Sequence, residues 1–442
     1  MHKLPHSFVW LLAAAMLTVS AHALQPALAA PPESKKKQKA SDRSGPHPSL
    51  DPTFSIPISP LGFAPPAVFY LGHRVSQASL DFLDEDHLLF TFRVPGLIAR
   101  EQPASSPAAK AGDVAANPKV RHIRALVLAL PTGQVTAEAL WTVHDSARYL
   151  WMLKGPHFLL RDRNAVLRGD AQLQLEPFLR FPGPVNYLEL DPSQQLLVAD
   201  TLEPPATGSV ESTASTAAAT IVTDGDTGAS ASQMLLRILN MDTRTVKLFS
   251  RVSGSVHLPV DGEGYYEALR GRGSSWTISH DGFRGATSLL SQVDSSCSPP
   301  LDAVAPGVVL VTSCLPLGGF RLTVLTQDKR RLWETVVPPT HVWPVLDVAP
   351  GSGRFARATI ETNHPVNASN PIDFEDIRDQ TLQIYDLATG KVALTAPISP
   401  VLDAGGNFAL SPSGNRVAVL NGGAIQIFDL PPAPPIPSSS KP

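Results

Sequence analysis

Apolar residues in this chain gather in short runs, and clusters of Pro, Gly, Ser, Asn and Asp separate them. Runs of about four to eight β-favouring residues between such clusters predict strands joined by tight turns. The clearest unit spans residues 405–430, where three apolar runs are separated by Pro412-Ser413-Gly414-Asn415 and by Asn421-Gly422-Gly423. Echoes of this unit recur in two forms. One is an apolar run, a tight turn and a second run. It occurs at residues 80–90, 188–198, 345–353 and 408–419, with weaker copies turning at Gly155-Pro156, near Gly271-Arg272-Gly273 and at Pro306-Gly307, seven in all. The other is a strand leading into Asp386-Leu387-Ala388-Thr389-Gly390-Lys391, with relatives at 128–135, 238–246 and 324–332.

The repeats have a fixed spacing. Asp386 recurs as Asp429, and Asn240 matches Thr326 at twice that distance, a period of about 40–45 residues with four strands in each. One four-stranded sheet cannot bury both of its faces alone, so such repeats pack on one another and close into a ring. The expected fold is all-β: a seven-bladed β-propeller over residues 56–432. The last repeat supplies three strands before a Pro-rich tail at 433–442. Its fourth is expected from Val68-Phe69-Tyr70-Leu71, which would join the two ends of the chain and remove an exposed sheet edge.

The unit Tyr385-Asp386-Leu387-Ala388-Thr389-Gly390-Lys391-Val392 resembles the blades of secreted bacterial propellers of the YVTN and WD-repeat-like superfamily. The resemblance is generic and covers most of the chain after the leader. It implies the fold but no activity, since this fold hosts many functions. The Gly-His and Trp-Asp signatures of true WD repeats are absent, as is the Tyr-Val-Thr-Asn tetrapeptide.

Naming the strands of a blade A to D from the axis outward puts A–B and C–D turns on one side of the ring. B–C loops and D–A connections lie on the other. Three long inserts, at about 100–122, 201–232 and 363–381, all fall between a B and a C strand and so elaborate one side. Loops on a rigid scaffold are where function concentrates. The Ala, Ser, Thr and Gly content of 201–232 reads more simply as a tolerated insertion. His73, His144, His257 and His341 each fall near the end of a D strand, on the same side. Imidazole is a common metal ligand, so these four are weak candidates for a divalent metal site at the mouth. Asp84-Glu85-Asp86-His87 occupies an A–B turn and reads as solvated. Trp141 and Trp333, in outer strands, are expected to pack between blades.

Composition narrows the reading further. Hydrophobic residues make up 43% of the 442, enough for a large core, and 43 prolines argue for many turns. A net charge of -3 gives no basic surplus for nucleic acid. His2 and Lys3, an apolar run over 8–19 and the small-residue motifs Ala21-His22-Ala23 and Ala27-Leu28-Ala29 predict a signal peptide over 1–30, hence a periplasmic or secreted protein. That run is too short for a comfortable membrane span, and no later stretch resembles one. Residues 31–55, rich in Pro, Ser and Lys, read as a disordered linker. The two cysteines, Cys297 and Cys314, are expected to form a disulfide in an oxidising compartment, with two separate buried thiols as the alternative.

Motifs for chemistry are missing. The sequence has no G-x-S-x-G elbow, P-loop or dinucleotide fingerprint. The expectation is therefore a monomeric, non-enzymatic binding scaffold without a cofactor, using its loop-bearing face to hold a protein, peptide or glycan. The alternative is a metal-dependent, lactonase-like hydrolase with a His/Asp site at the mouth.

Overall fold

A computed structural model describes residues 50–65, 75–94, 121–144, 147–202, 233–254, 256–349, 351–366, 372 and 374–436. Strand β1 (Phe54–Pro57) comes first. Blade 1 follows as β2 (Ala78–Phe82), β3 (His87–Val94), β4 (Arg121–Ala129) and β5 (Gln134–Val143). Blade 2 is β6 (Leu150–Met152), β7 (Phe158–Asp162), β8 (Ala165–Gly169) and β9 (Leu175–Arg180). Blade 3 is β10 (Val185–Leu190), β11 (Leu196–Leu202), β12 (Met234–Asn240) and β13 (Val246–Val252). Blade 4 is β14 (Val260–Asp261), β15 (Gly264–Arg270), β16 (Ser275–Gly282) and β17 (Thr287–Asp294). Blade 5 is β18 (Leu301–Ala305), β19 (Val308–Cys314), β20 (Phe320–Thr326) and β21 (Arg331–Val337). Blade 6 is β22 (His341–Ala349), β23 (Arg354–Thr362), β24 (Ile377–Asp386) and β25 (Val392–Ile398). Blade 7 joins β26 (Phe408–Leu410), β27 (Arg416–Asn421) and β28 (Ala424–Asp429) to β1. The chain is a seven-bladed β-propeller with four antiparallel strands in every blade.

Each interface between consecutive blades holds its own apolar cluster. Leu83, Ile123 and Trp141 of blade 1 meet Tyr149 and Phe158 of blade 2, and Trp151 of blade 2 meets Leu188 of blade 3. The pattern continues through Leu236 with Leu258, Tyr266 with Val311, Leu322 with Phe355 and Ile384 with Val417. It closes with Ile427 of blade 7 against Phe90 of blade 1. The B strands lie inside these clusters on both faces, which explains their unbroken apolar runs, such as Leu88-Leu89-Phe90 and Val308-Val309-Leu310-Val311. The ring is held by packing between sheets, and one sheet alone would leave both faces wet.

Ring closure uses a different segment from the one the sequence pointed to. The fourth strand of blade 7 is Phe54–Pro57, pairing Phe54 with Ile427 and Ile56 with Ile425. Val68-Phe69-Tyr70-Leu71 lies outside the described residues. The closing strand starts inside the stretch read as linker, because Phe-Ser-Ile-Pro is short and ends in proline, which suits an edge strand. Thr53 extends the pairing through its N–H to Ile427 O at 2.7 Å. Its hydroxyl also accepts from the Asp429 N–H at 3.1 Å.

The C–D ladders of blades 1 to 6 each carry a register shift, beside the C–D turn in blades 1, 3, 5 and 6, as at Val127/Leu128, Val324/Leu325 and Ile384/Tyr385, and further from it in blades 2 and 4. Such bulges bend a strand and increase its twist. The β1–β28 pair has no connecting turn, and its ladder runs without a shift. The C–D turn glycine also receives a side chain from the preceding blade. A Cβ on Gly390 would stand 2.6 Å from the Trp333 ring, and one on Gly133 2.7 Å from Ile56. The closing strand therefore fills the same place beside blade 1 that Trp333 fills beside blade 6.

Six of the seven predicted A–B turns stand where the pattern put them. The exception is blade 4, where Gly271-Arg272-Gly273 joins β15 to β16, a B–C turn. Its A–B turn is Gly262-Glu263, hidden from the pattern because β14 has only 2 residues. The turn Asp84-Glu85-Asp86 is more than solvated: Glu85 accepts from the Ser413 N–H at 2.7 Å and its carbonyl accepts from Arg416, tying blade 1 to blade 7. Blades 6 and 7 are joined by Arg354, which is 1% exposed. It donates to Asp386 Oδ1 at 2.9 Å, to Gly414 O at 2.9 Å and to Pro431 O at 2.6 Å. The segment after β28 continues along this edge, where Pro434 and Ile436 approach Gly353. Cys297 and Cys314 form a disulfide that ties the D–A connection entering blade 5 to the end of its B strand.

Candidate functional site

The innermost strands bring charged groups from distant blades together. Asp81 of β2, Glu189 of β10, Asp302 of β18 and Asp347 of β22 are all partly exposed. Asp81 in blade 1 feels Asp347 in blade 6, and Glu189 in blade 3 feels Asp302 in blade 5. Such reach between non-neighbouring blades places these side chains on the axial channel. Arg148, in the connection from β5 to β6, is the cation they share: it acts on Asp81, Asp347, Tyr187 and Glu189. Its own Nε donates to Leu150 O at 2.9 Å.

The channel wall has two groupings. In the first, the His257 imidazole reaches across the short inner strand of blade 4. Its Nδ1 lies 3.3 Å from Glu189 Oε2, and its Nε2 lies 2.9 Å from Leu301 O and 3.6 Å from Asp302 Oδ1. The Tyr187 hydroxyl donates to Glu189 and also contacts the His257 ring. Burial alone would lower the His257 pKa, but Glu189, Asp302 and the Leu301 carbonyl outweigh it and hold it up at about 9. Both ring nitrogens thus face acceptors, as suits an imidazolium. Burial, reinforced by Asp302, raises the Glu189 carboxyl, while His257 and Tyr187 oppose the rise.

In the second grouping, burial lifts the Asp81 carboxyl to about 7. The Ser79 hydroxyl, 2.6 Å away, and Arg148 oppose that rise, and Asp347 adds to it. Asp347 is itself raised by burial, although it accepts the N–H groups of Leu410 at 2.9 Å and Val348 at 3.0 Å. The channel therefore has one carboxyl, Asp81, able to change charge near neutral pH, within reach of the Arg148 guanidinium. Only desolvation within a ring could have revealed this, and no local spacing signals it.

His144, His257 and His341 lie in or beside D–A connections, and each has its own partners. His144 Nδ1 bonds Asp162 Oδ1 at 2.8 Å, and His341 Nδ1 meets Thr359 Oγ1 at 3.2 Å. Burial, helped by Arg357 and Arg378, lowers the His341 pKa. His257 lines the channel, and His73 lies outside the described residues. Among the described residues, no group of three or more His, Cys, Asp or Glu side chains is placed to hold a metal ion. The three inserts do separate B from C strands, in blades 1, 3 and 6. Most of their length lies outside the described residues, as do the predicted signal peptide and the Lys-rich segment after it. Among the described residues, no helix is long and apolar enough to cross a membrane. Both tryptophans pack between blades: Trp141 against Phe158, 5.5 Å between ring centroids, and Trp333 stacked on Phe355 and Tyr385.

Comparison with known proteins shows no family and no activity for this chain. No protein-family model and no curated protein sequence matches the chain. Among solved structures, acylaminoacyl peptidase of Pyrococcus horikoshii is similar at 10% identity and a TM-score of 0.43, over 80% of this chain and 53% of that one. Hydrazine synthase of Kuenenia stuttgartiensis is similar at 11% and 0.35, over 62% and 73%. The putative TolB of Agrobacterium tumefaciens is similar at 12% and 0.35, over 59% and 84%. This chain spans about half the length of the peptidase it matches. At such low identity and TM-score these likenesses carry no argument about this chain.

Proposed function

We propose that this protein is an exported, non-enzymatic binding scaffold whose insert-bearing face and channel mouth hold a protein, peptide or glycan. The propeller fold is consistent with an interaction scaffold in general. The observation that carries the finer reading is the channel wall: Asp81, Glu189, Asp302 and Asp347 stand on rigid inner strands, while His257 already uses both ring nitrogens. A histidine so engaged is poorly placed to take a proton from a substrate, whereas fixed carboxylates suit a partner rich in N–H or O–H donors. The test is binding of defined peptide and glycan libraries to the purified protein, repeated with Glu189→Gln, Asp347→Asn and deletions within the three inserts. Loss of binding in these variants supports the reading; capture that all of them retain would overturn it. Mass analysis of exported material would show cleavage within about the first 30 residues if the leader acts as expected.

The near-neutral Asp81 carboxyl favours a second reading, a hydrolase using channel carboxyls and a divalent metal. Turnover of ester or lactone substrates that appears on adding zinc or calcium, and disappears in Asp81→Asn, would put it first.

A further inference from the structure

Blade 6 carries a second buried arginine, on the face of β23 opposite Arg354. Arg357 is 2% exposed and stands beside Leu346 and Gln383 in the sheet. It shares its face with Thr359 and Glu361, toward blade 5. Among the described residues, no carboxylate or carbonyl stands within hydrogen-bond reach of Nη1 or Nη2. The Tyr385 hydroxyl, which gives its own proton to Gln383 Oε1 at 2.7 Å, can lend Arg357 a lone pair, but it is neutral and supplies no counter-charge. The nearest carboxylate on this face, Glu361, is occupied. It accepts from Thr381 Oγ1 at 2.6 Å and from the Arg378 guanidinium. Asp379 is engaged by Arg378 as well, at 3.3 Å. Across the interface, blade 5 contributes apolar Leu310, Leu322 and Val324.

A buried lysine could shed its proton, but a guanidinium stays charged at any physiological pH. Removing an ion from water without a counter-charge costs several kcal/mol.

We infer that the upper part of the interface between blades 5 and 6 is a binding site for a small monovalent anion such as chloride, held by Arg357 Nη1 and Nη2. On the same face, the buried Thr359 hydroxyl meets Nδ1 of the partly exposed His341 at 3.2 Å. The anion supplies the counter-charge that the described residues do not, and it fixes blade 6 to blade 5 much as the Gly414 and Pro431 carbonyls, through Arg354, fix it to blade 7. This site is independent of the channel and of the binding role proposed for it.

The experiment titrates sodium chloride, and separately sodium bromide, into the full chain at constant ionic strength, with a bulky organic anion as the replacement, and follows thermal unfolding. The expected result is a saturable rise in Tm of a few degrees for both halides, absent in Arg357→Met. Crystals grown in bromide should show an anomalous peak at hydrogen-bond distance from Arg357. If Arg357→Met does not fold, Arg357→Lys provides the comparison and should weaken halide dependence at least several-fold. A Tm indifferent to halide in the native protein, an equal response in the variants, or a water molecule but no bromide at Arg357 would overturn the proposal.

Discussion

Arg354 and Arg357 sit on the same strand, are almost equally hidden from water and face opposite neighbours. Arg354 meets Asp386 of its own blade and, toward blade 7, two carbonyls, so every part of its guanidinium has a protein acceptor. Toward blade 5, Arg357 stands beside the stacked rings of Trp333, Phe355 and Tyr385, with both terminal nitrogens unmatched among the described residues. The difference teaches that the blade interfaces are not interchangeable copies of one contact. The 6–7 interface is cross-linked by polar groups beside its apolar cluster. The 5–6 interface is cemented by aromatic stacking and leaves one charge for something else to satisfy.

The comparison is broken most severely from the paired side. Arg354→Met should cost about 3–5 kcal/mol, because it leaves Asp386, the buried Gly414 carbonyl and the Pro431 carbonyl without their donor. Denaturant unfolding would register this as a lower midpoint. Next comes the stacked side. Gly390→Ala should cost about 1–2 kcal/mol for its left-handed backbone alone, at φ 68°. The collision with Trp333 adds to that, and the same unfolding measurement reports it alongside altered tryptophan fluorescence. Arg357→Met should be neutral or slightly stabilising in halide-poor buffer, since it deletes an uncompensated buried charge. A loss as large as that of Arg354→Met would erase the distinction between the two faces.

The smallest effect tests the channel against both interfaces. His257 is raised above its unfolded pKa, so its contribution to stability is full below about 6.5 and is lost as pH rises through about 9. Asp81 is also raised, so its contribution is full below about 4 and is lost as pH climbs through about 7. Tm should therefore fall from mildly acid to alkaline pH. His257→Gln should flatten the upper part of that fall and Asp81→Asn the lower part, while Arg357→Met should leave both slopes unchanged.

The architecture was legible in the sequence because turn chemistry is local. Pro412-Ser413-Gly414-Asn415 and Thr389-Gly390-Lys391 mark their hairpins without help from the rest of the chain. The pattern failed where an element was too short to have a period, as in the two-residue β14, or where a segment gains its role only by meeting a distant one, as Phe54–Pro57 does with β28. The candidate site was barely legible for the same reason. His257 was among the residues singled out, but its partners Tyr187, Glu189 and Asp302 lie far from it in the chain. Asp81, Arg148 and Asp347 become neighbours only when the ring closes. Arg357 looked like any strand arginine, and only burial exposed it as unmatched.

The closing strand also decides which way the molecule would hang from a tether. β1 enters at the end of blade 7 where C–D turns lie, and β28 leaves at that same end, with the following residues laid against Gly353 on the A–B turn of blade 6. A tether joined at Thr53 or at Ile436 would therefore pull on the propeller from that underside.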